Sequence, residues 1–209
     1  PPSDLGLLFI TPYLAGAHLH SNSWGAAINL YETYARSADL FLWEHKDFLA
    51  FFANGNAGDD EGTVGTPATA KNVVSVGATE NGVNAENIAA FSSNGPAADG
   101  RIKPTLAAPG VAIVSADSDG LKESWNSGTI AYSGTSMATP AAAGAAALVR
   151  QYYLDGYWPF GTANAASGFE PSAALIKATL LSSAQNMTGD HTDGSFPSTG
   201  QGWGRINLA

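Results

Sequence analysis

The chain has 209 residues, 44% of them hydrophobic and 13% charged, with no cysteine. That size and composition suit a single domain over residues 1–209 with one sizeable core, and they exclude disulfides and thiolate metal sites. The net charge is −9, which argues against nucleic acid and anionic membrane surfaces as partners.

No apolar run approaches the ~18 residues of a membrane span. The opening Pro1-Pro2-Ser3-Asp4 lacks a basic n-region, so no signal peptide is expected there, and a start without Met predicts a processed or excised piece. Residues 5–14 are apolar with Pro12 among them, a pattern that fits a short helix or a loop. Residues 15–23 read as a strand. His18 and His20 alternate with Ala17 and Leu19, so both point to one sheet face. Two histidines so spaced could ligate a metal. Buried, hydrogen-bonded histidines are the commoner case, and no metal site is predicted. Residues 28–46 predict a helix: Ala35, Ala38, Phe41, Leu42 and His45 recur at helical spacing, and Glu32 precedes Arg36 in the order that favours an ion pair. His45 is read as structural.

Residues 48–52 form a short apolar run after a helix, the mark of a buried parallel strand. It runs into Ala53-Asn54-Gly55-Asn56-Ala57-Gly58. A side-chain amide is thereby placed at a strand's carboxyl end, where open α/β sheets hold ligands. Asp59-Asp60-Glu61 could bind Ca²⁺, although a solvated loop is the commoner reading. Residues 72–79 and 111–116 read as strands. Between them, Phe91-Ser92-Ser93-Asn94-Gly95-Pro96 and Lys103-Pro104-Thr105-Leu106-Ala107-Ala108-Pro109-Gly110 are punctuated as turns. Residues 117–130 are a polar, hairpin-like stretch.

The chain then reaches Gly134-Thr135-Ser136-Met137-Ala138-Thr139-Pro140, ahead of an alanine-rich run with helix-forming composition. The helix is expected to extend to Tyr153. Ser136 therefore sits at a helix start, where free N–H groups and the helix dipole favour negative charge. A serine nucleophile needs such a place for its oxyanion, yet a plain N-cap occupies the same position with no chemistry. Residues 156–168 read as a loop, and Pro171 as the first turn of a further helix. Asn186-Met187-Thr188 is a glycosylation sequon. Asp190, His191 and Asp193 lie in a loop that could hold an ion or be a solvated turn.

The string from Gly134 to Pro140, with the alanines after it, resembles the nucleophile segment of the subtilisin-like serine proteases, peptidase family S8. Asn22-Ser23-Trp24-Gly25, the Gly-Asn-x-Gly at 55–58, Gly62-Thr63-Val64-Gly65-Thr66-Pro67, both turns and Gly202-Trp203-Gly204-Arg205-Ile206-Asn207 resemble further motifs in the family's order. The likeness is greatest to its bacterial alkaline, oxidatively stable branch. It implies a three-layer α/β fold around a parallel sheet, and a secreted endopeptidase that acts on peptide or protein substrates and requires no cofactor, with structural Ca²⁺ left open. Ser136 would be the nucleophile and Asn56 the side-chain oxyanion donor. Ser23, Trp24 and Gly25 would form a cleft wall that pairs with substrate backbone. Ala53, Asn54 and Gly55 would line the substrate site beside Asn56, and Thr135 would do so beside the nucleophile. Asn54 stands where the family usually has Ala. Gly65 would leave the specificity pocket deep, and with no charge placed to select a charged group, large apolar or aromatic side chains are expected there.

In this family the chain order is Asp, His, Ser. Nothing before Asn22 matches the Asp strand or the His-Gly-Thr helix start. The chain is therefore expected to be the C-terminal part of a catalytic domain, lacking the N-terminal strands and helix, with an unpaired sheet flank. Its partner would be the missing segment that carries Asp and His. Alone it should show no appreciable peptidase activity, because Ser136 lacks a base. The competing reading is a non-catalytic peptide-binding module, or pseudoprotease, that kept the cleft. A nucleotide-binding domain is disfavoured, since neither Gly-x-Gly-x-x-Gly nor a P-loop is present.

Overall fold

The computed structural model describes residues 1–208. A four-stranded parallel sheet runs in the order β1 (Leu19–Asn22), β2 (Leu49–Ala53), β3 (Val74–Thr79) and β4 (Leu106–Pro109). Leu19 pairs with Leu49, Phe51 with Val74, and Val76 with Leu106. Side chains alternate across the sheet as the strand period requires. Leu49 and Phe51 face α3 (Thr135–Leu154) and α4 (Ala173–Ser183), together with Val74, Val76 and Leu106. Ala50 and Phe52 face α1 (Gly6–Leu14) and α2 (Thr33–Glu44). The result is the expected three-layer α/β sandwich. Phe51 and Phe52 have no exposed surface, and each contributes roughly 1.5–3 kcal/mol through burial.

Several local expectations are corrected. Of the two readings of residues 5–14 the helix holds, over Gly6–Leu14 with Pro12 in it. α2 begins at Thr33, because Glu32 is its N-cap and accepts from Tyr34 N at 3.0 Å and Ala35 N at 3.4 Å. The same carboxylate also accepts from Thr66 Oγ1. Glu32 therefore caps the helix and ties it to a distant loop instead of pairing with Arg36. Leu106–Pro109, read as part of a turn, form β4, whose other side is bridged by Arg205; Pro109 is tolerated as the last strand residue. Pro171 precedes α4, and its cap is Ser172, which accepts from Leu175 N at 3.2 Å.

His18 and His20 do share one face. His18 Nδ1 lies 3.2 Å from an Asp47 oxygen, and the His20 ring meets Phe9 edge-on at 5.1 Å. Burial pushes the His20 pKa down, which keeps the ring neutral. His45 caps α2, with its ring stacked 4.0 Å from that of Phe41. No group of three metal-ligating side chains occurs among the described residues, and no helix there is long and apolar enough to cross a membrane. His191 and Asp59, from the two loops considered for ions, pair with each other at 2.5 Å.

β1 stands at one edge of the sheet. The remaining strands, β5 (Ile113–Ala116) and β6 (Thr129–Tyr132), form an antiparallel ribbon that leads from β4 into α3.

Candidate active site

Two adjacent parallel strands end side by side, and their carboxyl ends carry Ser23 and Asn54. Trp24 fixes the first of these ends: its ring meets that of Phe52 edge-on at 5.4 Å. The third component is the start of α3. Gly110 makes this docking possible, because a Cβ there would lie 2.7 Å from Ala78 Cβ and 2.9 Å from Gly134 O. Without that side chain, Gly134 N reaches Gly110 O at 2.8 Å, and the helix start is seated over the end of β4.

Between these elements lies a cavity of about 380 Å³. All ten residues singled out from the sequence line it: Ser23, Trp24, Gly25, Ala53, Asn54, Gly55, Asn56, Gly65, Thr135 and Ser136. Thr63 and Thr66, in the 62–67 string read as the floor and rim of the specificity pocket, line it too, and Ala26, Ala27, Ala57 and Ser93, which the sequence reading did not assign to the site, complete the lining. Ser93 and Ala57 lie within motifs recognised in the sequence; Ala26 and Ala27 gave no signal at all.

Ser136 Oγ donates to Ser23 O at 3.3 Å, and Ser23 Oγ donates to Ser136 O at 2.8 Å. The serine is thus held against the end of β1. Its own N–H lies in the first turn of α3 and has no partner within the helix. Asn56 Oδ1 accepts from Thr135 N at 2.9 Å and from Thr135 Oγ1 at 2.8 Å. With its oxygen so engaged, Asn56 keeps its amide NH₂ as the free end, beside Gly134. Two N–H donors therefore flank the start of α3, and no ionisable side chain lines the cavity. None of the four histidines of the chain is among the lining residues.

Asn54 behaves differently from Asn56. It is fully buried, and its amide donates to Ser93 O at 2.5 Å, so it staples the loop from within. Gly65 also departs from expectation. A Cβ built on it would lie 2.3 Å from Ala26 O, so neighbouring backbone already fills the space its missing side chain leaves. Ala26 N donates to Thr66 O at 2.9 Å, and Thr66 N to Ile28 O at 3.0 Å. The glycine lets two wall segments pair closely; it does not deepen the pocket.

The serine protease/ABC transporter B family protein tagD of Dictyostelium discoideum is 28% identical over 310 aligned positions, which take in 100% of this chain and 17% of that protein. Serine protease AprX of Bacillus subtilis is 42% identical over 114 residues, covering 49% of this chain and 26% of its own. Among solved structures, the prenylagaramide maturation protease PagA superposes with a TM-score of 0.73 at 25% identity, over 97% of this chain and 64% of its own. The chain thus spans well under two thirds of the curated relatives it matches. The subtilase family profile matches residues 9–204, and the chain belongs to the subtilase family, peptidase family S8.

Proposed function

We propose that this chain carries the nucleophile half of a subtilisin-like serine endopeptidase. The observation that supports this best is the meeting of Ser136 and Asn56 at one end of an uncharged cavity. Ser136 Oγ attacks the scissile carbonyl carbon and its proton passes to an imidazole. The oxyanion so formed is held by Asn56 Nδ2–H and Ser136 N–H. The same imidazole protonates the leaving amine, and water then releases the acyl group from Ser136. Substrate backbone lies along Ser23–Gly25 as an added strand. The neutral lining of the cavity supports a preference for large apolar or aromatic side chains.

The imidazole and its orienting carboxylate come from a segment outside this chain. Two features support this: no histidine lines the cavity, and β1 is an edge strand, open to a further strand. Alone, the chain is inactive. The proposal requires no cofactor; it places the protein outside the cell, with membership of the bacterial alkaline branch as a finer reading. Fluorophosphonate labelling followed by intact mass measurement tests it. Label on Ser136 is expected when a segment carrying the Asp strand and the His-Gly-Thr helix start is present, and not with the 21.4 kDa chain alone. Rapid, Ser136-dependent turnover by the isolated chain would overturn the division of roles. A complete protein that binds peptide but never takes label would establish the binding-module reading instead.

A further inference from the structure

The ribbon of β5 and β6 carries residues 117–128 at its tip. Every residue from Val114 to Thr129 is exposed. Asp117 N closes the base of the tip by donating to Gly128 O at 2.9 Å. Inside it, Leu121 N and Ser124 Oγ both donate to Asp119 Oδ1 at 2.9 Å, Asn126 Nδ2 donates to Asp117 O at 2.7 Å, and Gly128 N to Asn126 Oδ1 at 2.8 Å. Each of these bonds begins and ends within the segment, and none among the described residues ties it to the body of the protein. A connection this long without secondary structure of its own is uncommon in a compact domain, and exposed loop tips are where proteases cut.

Two other exposed loops are tied down. In 81–87, Arg205 donates to the Glu86 carboxylate at 2.8 Å and Gly189 N to Glu86 O at 3.1 Å. In 156–168, Asn164 N donates to Asp155 O at 3.1 Å, and the Trp158 ring meets that of Phe169 edge-on at 6.4 Å. Within the tip, Trp125 is the point of least restraint. Its side chain is fully exposed, and neither its N–H nor its C=O has a hydrogen-bond partner among the described residues. The backbone can straighten there without giving up a bond. Leu121, the other large apolar residue of the tip, has its N–H held by Asp119 and its C=O by Ser124 N at 3.3 Å.

We propose that the Trp125–Asn126 peptide bond is a substrate of this protein's own active site, cut by a second copy. The cut rests on Ser136 being the nucleophile and on the uncharged cavity receiving the side chain before the broken bond. The Trp125 indole enters that cavity of about 380 Å³, and the residues before it lie along Ser23–Gly25 as the added strand. Ser136 Oγ takes the Trp125 acyl group while Asn126 leaves as an amine, and water then releases Trp125 as a carboxylate. A second copy is needed because β6, paired to β5, stands between the tip and Ser136 in the same chain. The two pieces, 1–125 and 126–209, stay together. The β5–β6 pairing survives the cut, and Ala138, Ala142 and Ala146 of the second piece are fully buried against the sheet of the first.

The test uses the Ser136→Ala chain as substrate and, as enzyme, the wild-type chain with the proposed His- and Asp-bearing segment, with fluorophosphonate labelling of the enzyme run alongside. Mass measurement under denaturing conditions is expected to show pieces 1–125 and 126–209, which co-elute on native size exclusion. Trp125→Ala in the substrate chain, at a side chain fully open to solvent, should slow the cut by more than about tenfold, since losing even one methylene from an apolar pocket costs about that much. Chymotrypsin reads the tip independently of Ser136, and its first cut of the isolated chain is expected after Trp125. A labelled enzyme that leaves the Ser136→Ala chain whole, or cuts it elsewhere first, overturns the proposed cut and leaves the role of Ser136 standing. An enzyme that takes no label overturns that role and the cut with it. A first chymotrypsin cut at another aromatic residue, or undiminished cutting of Trp125→Ala, overturns the choice of bond.

Discussion

Asn56 Oδ1 accepts both the N–H and the O–H of Thr135, at 2.9 and 2.8 Å. One oxygen thus locks the loop after β2 to the start of α3 and decides which end of the Asn56 amide faces the cavity. Thr135→Val removes one of the two donors. Stability is expected to fall by about 1 kcal/mol, the usual net worth of a hydrogen bond, as read by urea denaturation. The Asn56 NH₂ signals should broaden or average as the amide gains freedom. Unchanged signals would show that the backbone N–H alone sets its orientation.

Two glycines should respond oppositely to one added methyl group. Gly65→Ala drives Cβ against Ala26 O, 2.3 Å away, so the wall segments must separate. A loss of about 1–3 kcal/mol is expected, as for other overpacked sites, together with a reshaped cavity. Gly144 lies within α3 and has nothing within 4 Å of a built Cβ. Gly144→Ala should raise stability by about 0.5–1 kcal/mol through helix preference. Thermal denaturation of both variants checks the pair, and equal effects would refute the contrast.

Lys177 makes stability depend on alkaline pH. Its pKa falls to about 8 through burial, against Asp39. The unfolded chain keeps the corresponding proton until about pH 10.4. Between these values the unfolded state binds more protons, so stability rises with pH. Lys103 acts in the same direction: its ammonium is buried, donates to Ala70 O at 2.6 Å, and has its pKa pushed well down by desolvation and then by Lys177. Urea midpoints at pH 8 and pH 10 should show the wild type more stable at the higher pH. Lys177→Met should lose part of that gain, of order 2 kcal/mol. A flat wild-type profile would contradict the assignment.

Local patterns made much of this molecule legible. The runs at 48–52 and 72–79 are apolar on both faces because β2 and β3 are covered on both sides. The strings around Asn56 and Ser136 could be read because each needs a few adjacent residues to place one polar group. What escaped depends on distant partners. β4 was hidden because Pro109 and Gly110 carry turn chemistry, while Val76 and Arg205, far away in sequence, pair with its backbone. The i,i+4 pairing of Glu32 lost to Thr66. Nothing in sequence announces that His191 meets Asp59, or that Lys103 is 3% exposed.

α3 has a consequence for how activity would tolerate change. Ala138, Ala142 and Ala146 are fully buried against the sheet, and the same helix begins one residue before Ser136. The helix is therefore a ruler laid on the sheet, with alanine as its spacer. A bulkier spacer at Ala142 or Ala146 would lift or slide the whole rod and displace the hydroxyl at its tip, though neither position lines the cavity. Ala142→Val is expected to cost about 1–3 kcal/mol as overpacking. With the proposed His- and Asp-bearing segment present, it should also slow fluorophosphonate labelling of Ser136 at temperatures where the fold is intact, so that a residue in the middle of the core would register as a defect at the proposed nucleophile.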